Sequence, residues 1–224
     1  MKRTPTVELL DSDAGTAVEV AASLGDLRRI NQWFGGTQTT RQMIERVARA
    51  SGRNSLSLLE VAAGSGHVPH SARGALARRG IHLEVTLLDR AASHLGNRDR
   101  SVVGDALALP FRDATFDLVG CGLFAHHLSP KQLVQFVNEG LRVCRQAVLI
   151  NDLIRHPLHL ALVHAGSPLY RSRITRHDAP ASVRQAYTPG EMREMLGQTA
   201  AMRIEIGRYY LFRMGVIAWK DGTP

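Results

Sequence analysis

Only two cysteines, Cys121 and Cys144, occur in the 224 residues, and both sit inside apolar runs, as buried small side chains do. A disulfide framework is excluded as the source of stability, and a reducing compartment fits. No apolar stretch approaches the ~20 residues that span a bilayer. The opening "MKRTPTVELLDSDAGT" carries basic residues but no apolar core ahead of a cleavage site. The expectation is a cytoplasmic protein with no membrane span. Aromatics are scarce, at 5%, and no run of five or more like charges occurs. The formal net charge is +8, yet the arginines are scattered: Arg28 and Arg29, Arg78 and Arg79, then "RSRITR" at 171–176. Without basic runs or aromatic platforms for stacking on bases, the expected partner is a small molecule rather than nucleic acid. The 171–176 segment remains able to meet an anionic substrate or membrane surface. Internal repeats and low-complexity tracts are also missing.

What is present is ordinary globular composition, 44% hydrophobic and 21% charged, in a chain long enough for one α/β domain with embellishments. "SLSLLEVA" (55–62), "HLEVTLLD" (82–89), "SVVGDA" (101–106), "FDLVGCG" (116–122) and "QAVLIND" (146–152) are strand-like. Between them lie the helical "HVPHSARGALARRG" (67–80), a short helix in "AASHLGN" (91–97), and "SPKQLVQFVNEGLRVC" (129–144) with Ser129 as N-cap and Pro130 in the first turn. Such alternation predicts a parallel sheet covered on both faces. Two further helices, split by Gly35 and Gly36, precede it and form a lid over residues 1–54. Helical segments broken at Pro157, Pro168, Pro180 and Pro189 fill an insert over 153–200. The ending "AMRIEIGRYYLFRMGVIAWK" is an antiparallel pair split near Gly207, within 201–224. Residues 55–152 are then the ligand-binding core of a single domain.

Open parallel sheets bind ligands at the carboxyl ends of their strands, so "LLEVAAGSGHVPHSA" (58–72) is the place to look. From Gly64 the chain reads "GSGHVP": Pro69 stands where a nicotinamide fingerprint needs its third glycine, and no lysine serves a triphosphate. Glu60 at the end of the first strand is awkward for a diphosphate but suits a cationic ligand. Asp89 ends the second strand, where a carboxylate can accept ribose hydroxyls; NAD uses such an acid too. Asp105 follows the third strand, where it can accept an adenine amino hydrogen beside the backbone of Ala106.

These features together resemble the class I S-adenosylmethionine-dependent methyltransferases over roughly residues 56 to 152, through "LLEVAAGSG", "VTLLD", "GDALALPF" and "FDLVGCGLFAHHLSP". The resemblance implies a Rossmann-like, seven-stranded, mostly parallel α/β sheet, S-adenosylmethionine as cofactor and S-adenosylhomocysteine as product. The family's acid-x-Gly-x-Gly-x-Gly becomes Glu60-x-Ala62-x-Gly64-x-Gly66, Ala62 replacing the first glycine. By the family's pattern Glu60, Ala62, Gly64, Ser65 and Gly66 line the methionine end, Asp89 and Arg90 the ribose, Asp105 and Ala106 the adenine, and Gly122 the far wall. "GCGLFAHHLSP" resembles the small-molecule branch that includes quinone-biosynthesis enzymes, and "NDLIRHPLH" resembles methyltransferases of polyketide and phenolic pathways.

Methyl transfer needs the acceptor held in line at near-attack distance, and a base only where the acceptor keeps its proton. His127, just past the fourth strand, is the candidate base; packing or helix capping is the alternative for His126 and His127. Asn151, Asp152, His156 and His159 offer metal-ligand types, but no metal is assigned. The position after the fourth strand reads "CGLF" rather than an Asn/Asp-Pro-Pro-aromatic motif, and Cys121 follows glycine rather than proline, which leaves a nucleic-acid or other acceptor only as the alternative to a small molecule. Trp33, Phe34, Tyr170 and Tyr187 suit a lid over a flat or greasy small molecule. A nicotinamide oxidoreductase and a non-catalytic adenosyl-binding domain are the readings from other classes.

Overall fold

Strand and helix periods in this chain divide its apolar residues between two cores. A computed structural model describes residues 1–11, 15–95 and 100–221. In β1 (Ser55–Val61), Leu56 and Leu58 join one core while Leu59 and Val61 join the other. β5 (Cys144–Leu153) alternates in the same way, Ala147 and Leu149 against Val148 and Ile150. Strands buried on both faces belong inside a sheet.

The helices that cover those faces carry matching stripes. On α5 (Pro130–Val143), Leu133, Phe136, Val137 and Leu141 recur at helical spacing and are buried. Its start is fixed by Ser129, which accepts from the Gln132 N–H while the Gln132 side chain answers the Ser129 N–H. α8 (Pro189–Leu196) joins α5 in that core through Met192, Met195 and Leu196. The opposite core is closed by α2 (Gly36–Ser51) and α3 (His67–Ala77), with Met43, Ile44, Val47 and Leu76.

The seven strands run in the order β3-β2-β1-β4-β5-β7-β6, with β2 at His82–Asp89, β3 at Ser101–Val103, β4 at Phe116–Gly122, β6 at Arg203–Tyr209 and β7 at Arg213–Trp219. β1 to β5 are mutually parallel, and β7 enters antiparallel between β5 and β6. The strand order reverses between β1 and β4. That switch point opens a crevice at the carboxyl ends of these two strands. The expected Rossmann-like sheet with an antiparallel C-terminal pair is therefore present.

Several local expectations need correction. α2 is a layer of the fold rather than a lid, because its apolar stripe is buried against β5 and β7. β3 stops at Val103, leaving Asp105 in the following turn, and β5 starts at Cys144 directly after α5. Pro180 lies inside α7 (Arg173–Gln185) instead of breaking it. Gly207 does not split the final strands: it pairs with Gly215 inside the hairpin, and the ring of Tyr209 occupies the space that side chains there would need. The turn falls at 210–212. The short helix α4 is Ala92–Leu95; the expected extension to Gly96 and Asn97, and the last residues 222–224, lie outside the described residues.

α1 (Ala17–Trp33) and α6 (Pro157–Gly166) both pack on α7, and α7 also touches the turn after β4. Asp26 of α1 accepts the backbone N–H groups of Arg171 and Ser172 at 2.9 and 3.0 Å, capping the entry to α7. Residues 1–11 lie across this group as a strap. Arg3 donates to the carbonyls of Gln185, His126 and Leu128, and Asp178 of α7 accepts the N–H groups of Leu9 and Leu10.

Candidate active site

The turn after β1 is held by backbone conformation and by β2. Ala62, Gly64 and Gly66 all have positive φ, at 51°, 50° and 65°. For Ala62 that conformation costs about 1 kcal/mol, where a glycine would relax it. The Ala63 N–H donates to Leu88 O, and the Gly64 N–H to Asp89 Oδ2 at 2.8 Å. A Cβ on Gly64 would meet nothing within 4 Å, whereas one on Gly66 would fall 2.6 Å from Leu87 Cδ1. Gly64 therefore faces open space and Gly66 faces the core. Ser65 is half-buried between them.

Glu60 lies one residue before the end of β1, opposite Gly120 of β4, and it is buried. Its carboxylate lies across two glycines: a Cβ on Gly120 would be 2.8 Å from Oε2, and one on Gly122 3.6 Å from Oε1. Burial pushes the Glu60 carboxyl up to about 8. Gly120 has a role that sequence reasoning missed. The signal was its position, one pleat before Gly122 on the same face.

Asp89 is tied at both oxygens, Oδ2 to Gly64 and Oδ1 to the Ala91 N–H at 3.0 Å. Arg90 beside it is exposed. Asp105 is exposed and accepts the Leu107 N–H at 2.9 Å, capping its own turn; Ala106 follows, half-buried. The turn after β1, Asp89 and Asp105 thus belong to the carboxyl ends of three successive strands, β1, β2 and β3.

Across the crevice, residues 125–127 form a 3-10 turn after β4. His127 is half-buried, with Nδ1 2.7 Å from Asp11 Oδ2 and Nε2 3.9 Å from Glu8 Oε2. Its neighbour His126 is fully buried. Asp152 Oδ1 lies 2.6 Å from His126 Nδ1, Asp152 Oδ2 accepts the His126 backbone N–H, and Glu8 Oε1 is 3.5 Å from Nε2. Burial opposes charge on His126, but Asp152 and Glu8 outweigh it and hold its pKa at about 10. Asp152 and Glu8, whose burial works the other way, are held below their ordinary values by the imidazolium. Asp11 is likewise held low, against burial, by the His127 ring.

The metal-ligand types noted after the fifth strand are used otherwise. Asn151 donates to Gly36 O and Thr40 Oγ1 at 2.7 and 2.8 Å, fastening α2 to the sheet, while Asp152 turns to His126. His156 caps α6 by accepting the Leu158 N–H, and both His156 and His159 stack on Phe212. Tyr187 is anchored, its hydroxyl donating to Leu128 O under the Arg3 guanidinium. Trp33 and Phe34 are exposed, at 63% and 45%. Glu8 and Asp11 were missed in the sequence because they stand more than 110 residues from their partners in a segment with no periodic signal.

Residues 59–150 match the family described as a methyltransferase domain. No curated protein matches the chain. Among solved structures, the plantazolicin methyltransferase BamL, crystallised with a triazolic desmethylPZN analog and S-adenosylhomocysteine, is similar at 15% identity and a TM-score of 0.63, over 86% of this chain and 89% of that one. The citrinin polyketide synthase CMeT domain is similar at 13% identity and 0.58, over 81% and 51%. A Nostoc punctiforme PCC 73102 protein assigned as an O-methyltransferase is similar at 14% identity and 0.57, over 83% and 56%. The chain thus spans little more than half the length of the last two. At these identities the likeness shows a shared fold.

Proposed function

We propose that this chain, whose residues 59–150 match a methyltransferase domain, is a class I S-adenosylmethionine-dependent enzyme that methylates the hydroxyl of a small aromatic, quinol or polyketide-type acceptor. The observation that supports this reading most is Glu60: a buried carboxyl at the strand-order switch point whose burial is offset by no cation among the described residues. The ammonium of an amino-acid ligand would supply the missing counter-charge. The site fits the adenosyl cofactor in two further respects. A Cβ at Gly64 would enter open space, so backbone can approach a ligand there, and Asp89 is already oriented by two backbone N–H groups.

In this mechanism S-adenosylmethionine, when bound, supplies an electrophilic methyl group. Glu60, Gly64, Ser65 and Gly66, with Ala62 shaping the turn, would hold its amino-acid end. Asp89 and Arg90 would hold the ribose, and Asp105 and Ala106 the adenine, with Gly122 as the far wall. His127 takes the acceptor's hydroxyl proton, with Asp11 at 2.7 Å orienting the imidazole. The strap, α1, α6 and α7 exclude water and align the acceptor, which supplies most of the rate by proximity.

Turnover of methyl-labelled S-adenosylmethionine against a panel of phenols, quinols and hydroxylated polyketides tests the reading. Label in the organic phase with at least one class is expected. Tight S-adenosylhomocysteine binding without turnover on any of these acceptors would refute the acceptor assignment, and preferential binding of NADH would refute the cofactor.

A further inference from the structure

Glu8, His126 and His127 each offer one ligand atom, and these atoms lie within 4.8 Å of one another. The two histidines are adjacent in sequence, yet the 3-10 turn brings their rings to a centroid distance of 4.2 Å. Each has its Nδ1 against a carboxylate, Asp152 for His126 and Asp11 for His127. That arrangement orients an imidazole and raises its basicity when its other nitrogen binds a metal. His126 Nε2 is buried, with Glu8 Oε1 at 3.5 Å, longer than a well-made hydrogen bond. The same separation is close to the ~3.4 Å between two ligand atoms on one tetrahedral ion with bonds of ~2.0–2.1 Å. Glu8 has an outer shell of its own, since Oε1 accepts from Ser182 Oγ and Gln185 Nε2, both at 2.6 Å.

We propose that Glu8, His126 and His127 bind one divalent first-row transition ion, of the zinc class, between the N-terminal strap and the turn after β4. Two imidazoles and a carboxylate are a ligand set for Zn²⁺, Fe²⁺ or Co²⁺ rather than Mg²⁺ or Ca²⁺. Three protein ligands leave a coordination position for water or an acceptor oxygen, and His127 gives the cluster its half-exposed side. The ion takes the place of the Nε2 proton between His126 and Glu8, and it fastens the strap over the crevice. With the ion bound His127 is a ligand rather than a free base, and a hydroxyl at the open position would ionise near neutral pH in place of that proton transfer; the base role of His127 belongs to the metal-free protein. Metal binding itself does not depend on which acceptor is methylated.

The full-length protein, stripped with chelator and dialysed against Zn²⁺ or Co²⁺, is assayed for metal content by mass spectrometry, with S-adenosylhomocysteine affinity measured in parallel. One ion per chain is expected, with visible Co²⁺ bands of a low-coordinate nitrogen and oxygen site. Glu8→Gln and His127→Gln, both at the strap side, should each weaken Zn²⁺ binding by ~100-fold or more, and Asp11→Asn by ~10-fold. Zn²⁺ binding in His156→Gln and His159→Gln should equal that of the wild type. Substoichiometric metal in the wild type, or undiminished binding in the Glu8→Gln/His127→Gln double variant, overturns the proposal. Loss of S-adenosylhomocysteine binding in the wild type would instead count against the methyltransferase mechanism.

Discussion

Glu60 and Gly120 face each other across the parallel pair β1 and β4, and the carboxylate of the first occupies the space that a side chain on the second would fill. A methyl at 120 would lie 2.8 Å from Glu60 Oε2 and 3.1 Å from Leu58 Cδ1. Gly120→Ala should therefore destabilise the fold by ~1–3 kcal/mol and displace Glu60. Unchanged urea unfolding and unchanged S-adenosylhomocysteine affinity would show that the carboxylate is not confined there.

The same carboxyl sets a pH dependence. Its pKa in the folded protein, about 8, lies above the ordinary 4.5, so protonated Glu60 contributes stability in full below pH 4.5, and this is lost as pH rises through 8. Urea midpoints between pH 5 and 9 should fall, and Glu60→Gln should flatten that slope. Binding a ligand ammonium favours the carboxylate, so S-adenosylhomocysteine binding at pH 7 should release roughly one proton. Calorimetry in buffers of different ionisation enthalpy reads this directly, and an identical heat in all of them would count against the pairing.

Gly64 and Gly66 should fail differently. Gly64→Val places its side chain in open space, so the protein should fold with a lowered Tm from backbone strain while cofactor binding disappears. Gly66→Ala drives a methyl against Leu87 and should chiefly cost stability. If both variants fold and bind as the wild type does, the glycines serve only the turn.

Asp89→Ala removes the acceptor of the Gly64 and Ala91 N–H groups together with the proposed ribose contacts. A loss of ~1–3 kcal/mol in S-adenosylhomocysteine binding is expected, with a smaller loss of fold stability. Equal calorimetric affinity would remove Asp89 from the ribose site.

His127→Gln should lower kcat by ~10²–10⁴-fold with little change in cofactor affinity. For a phenolic acceptor the deficit should shrink as pH approaches the phenol's own pKa, because a phenolate needs no activation. A misplaced acceptor stays misplaced at every pH, so parallel profiles would leave proximity as the whole effect.

The sequence by itself determined the sheet and the crevice. Strand and helix periods, the Ser129 cap and the glycine turn are set by neighbours within a few residues, so β1, α3, β2, β4 and α5 were legible, as was the crevice at their carboxyl ends. Boundaries that depend on packing were not. Pro180 survives within α7, and Gly207 pairs with Gly215 beneath Tyr209, because tertiary contacts outweigh local propensity there. α2 joined the core instead of a lid because its stripe found β5 and β7, which no periodicity could name. The Glu8, Asp11, His126, His127 and Asp152 cluster was decided by the tertiary structure alone. Adjacent parallel strands set residues 126 and 152 side by side, and a strap lacking any period delivers the acids at 8 and 11. Contacts so distant along the chain leave no local pattern, since their free energy comes from chain crossings that only the completed fold creates.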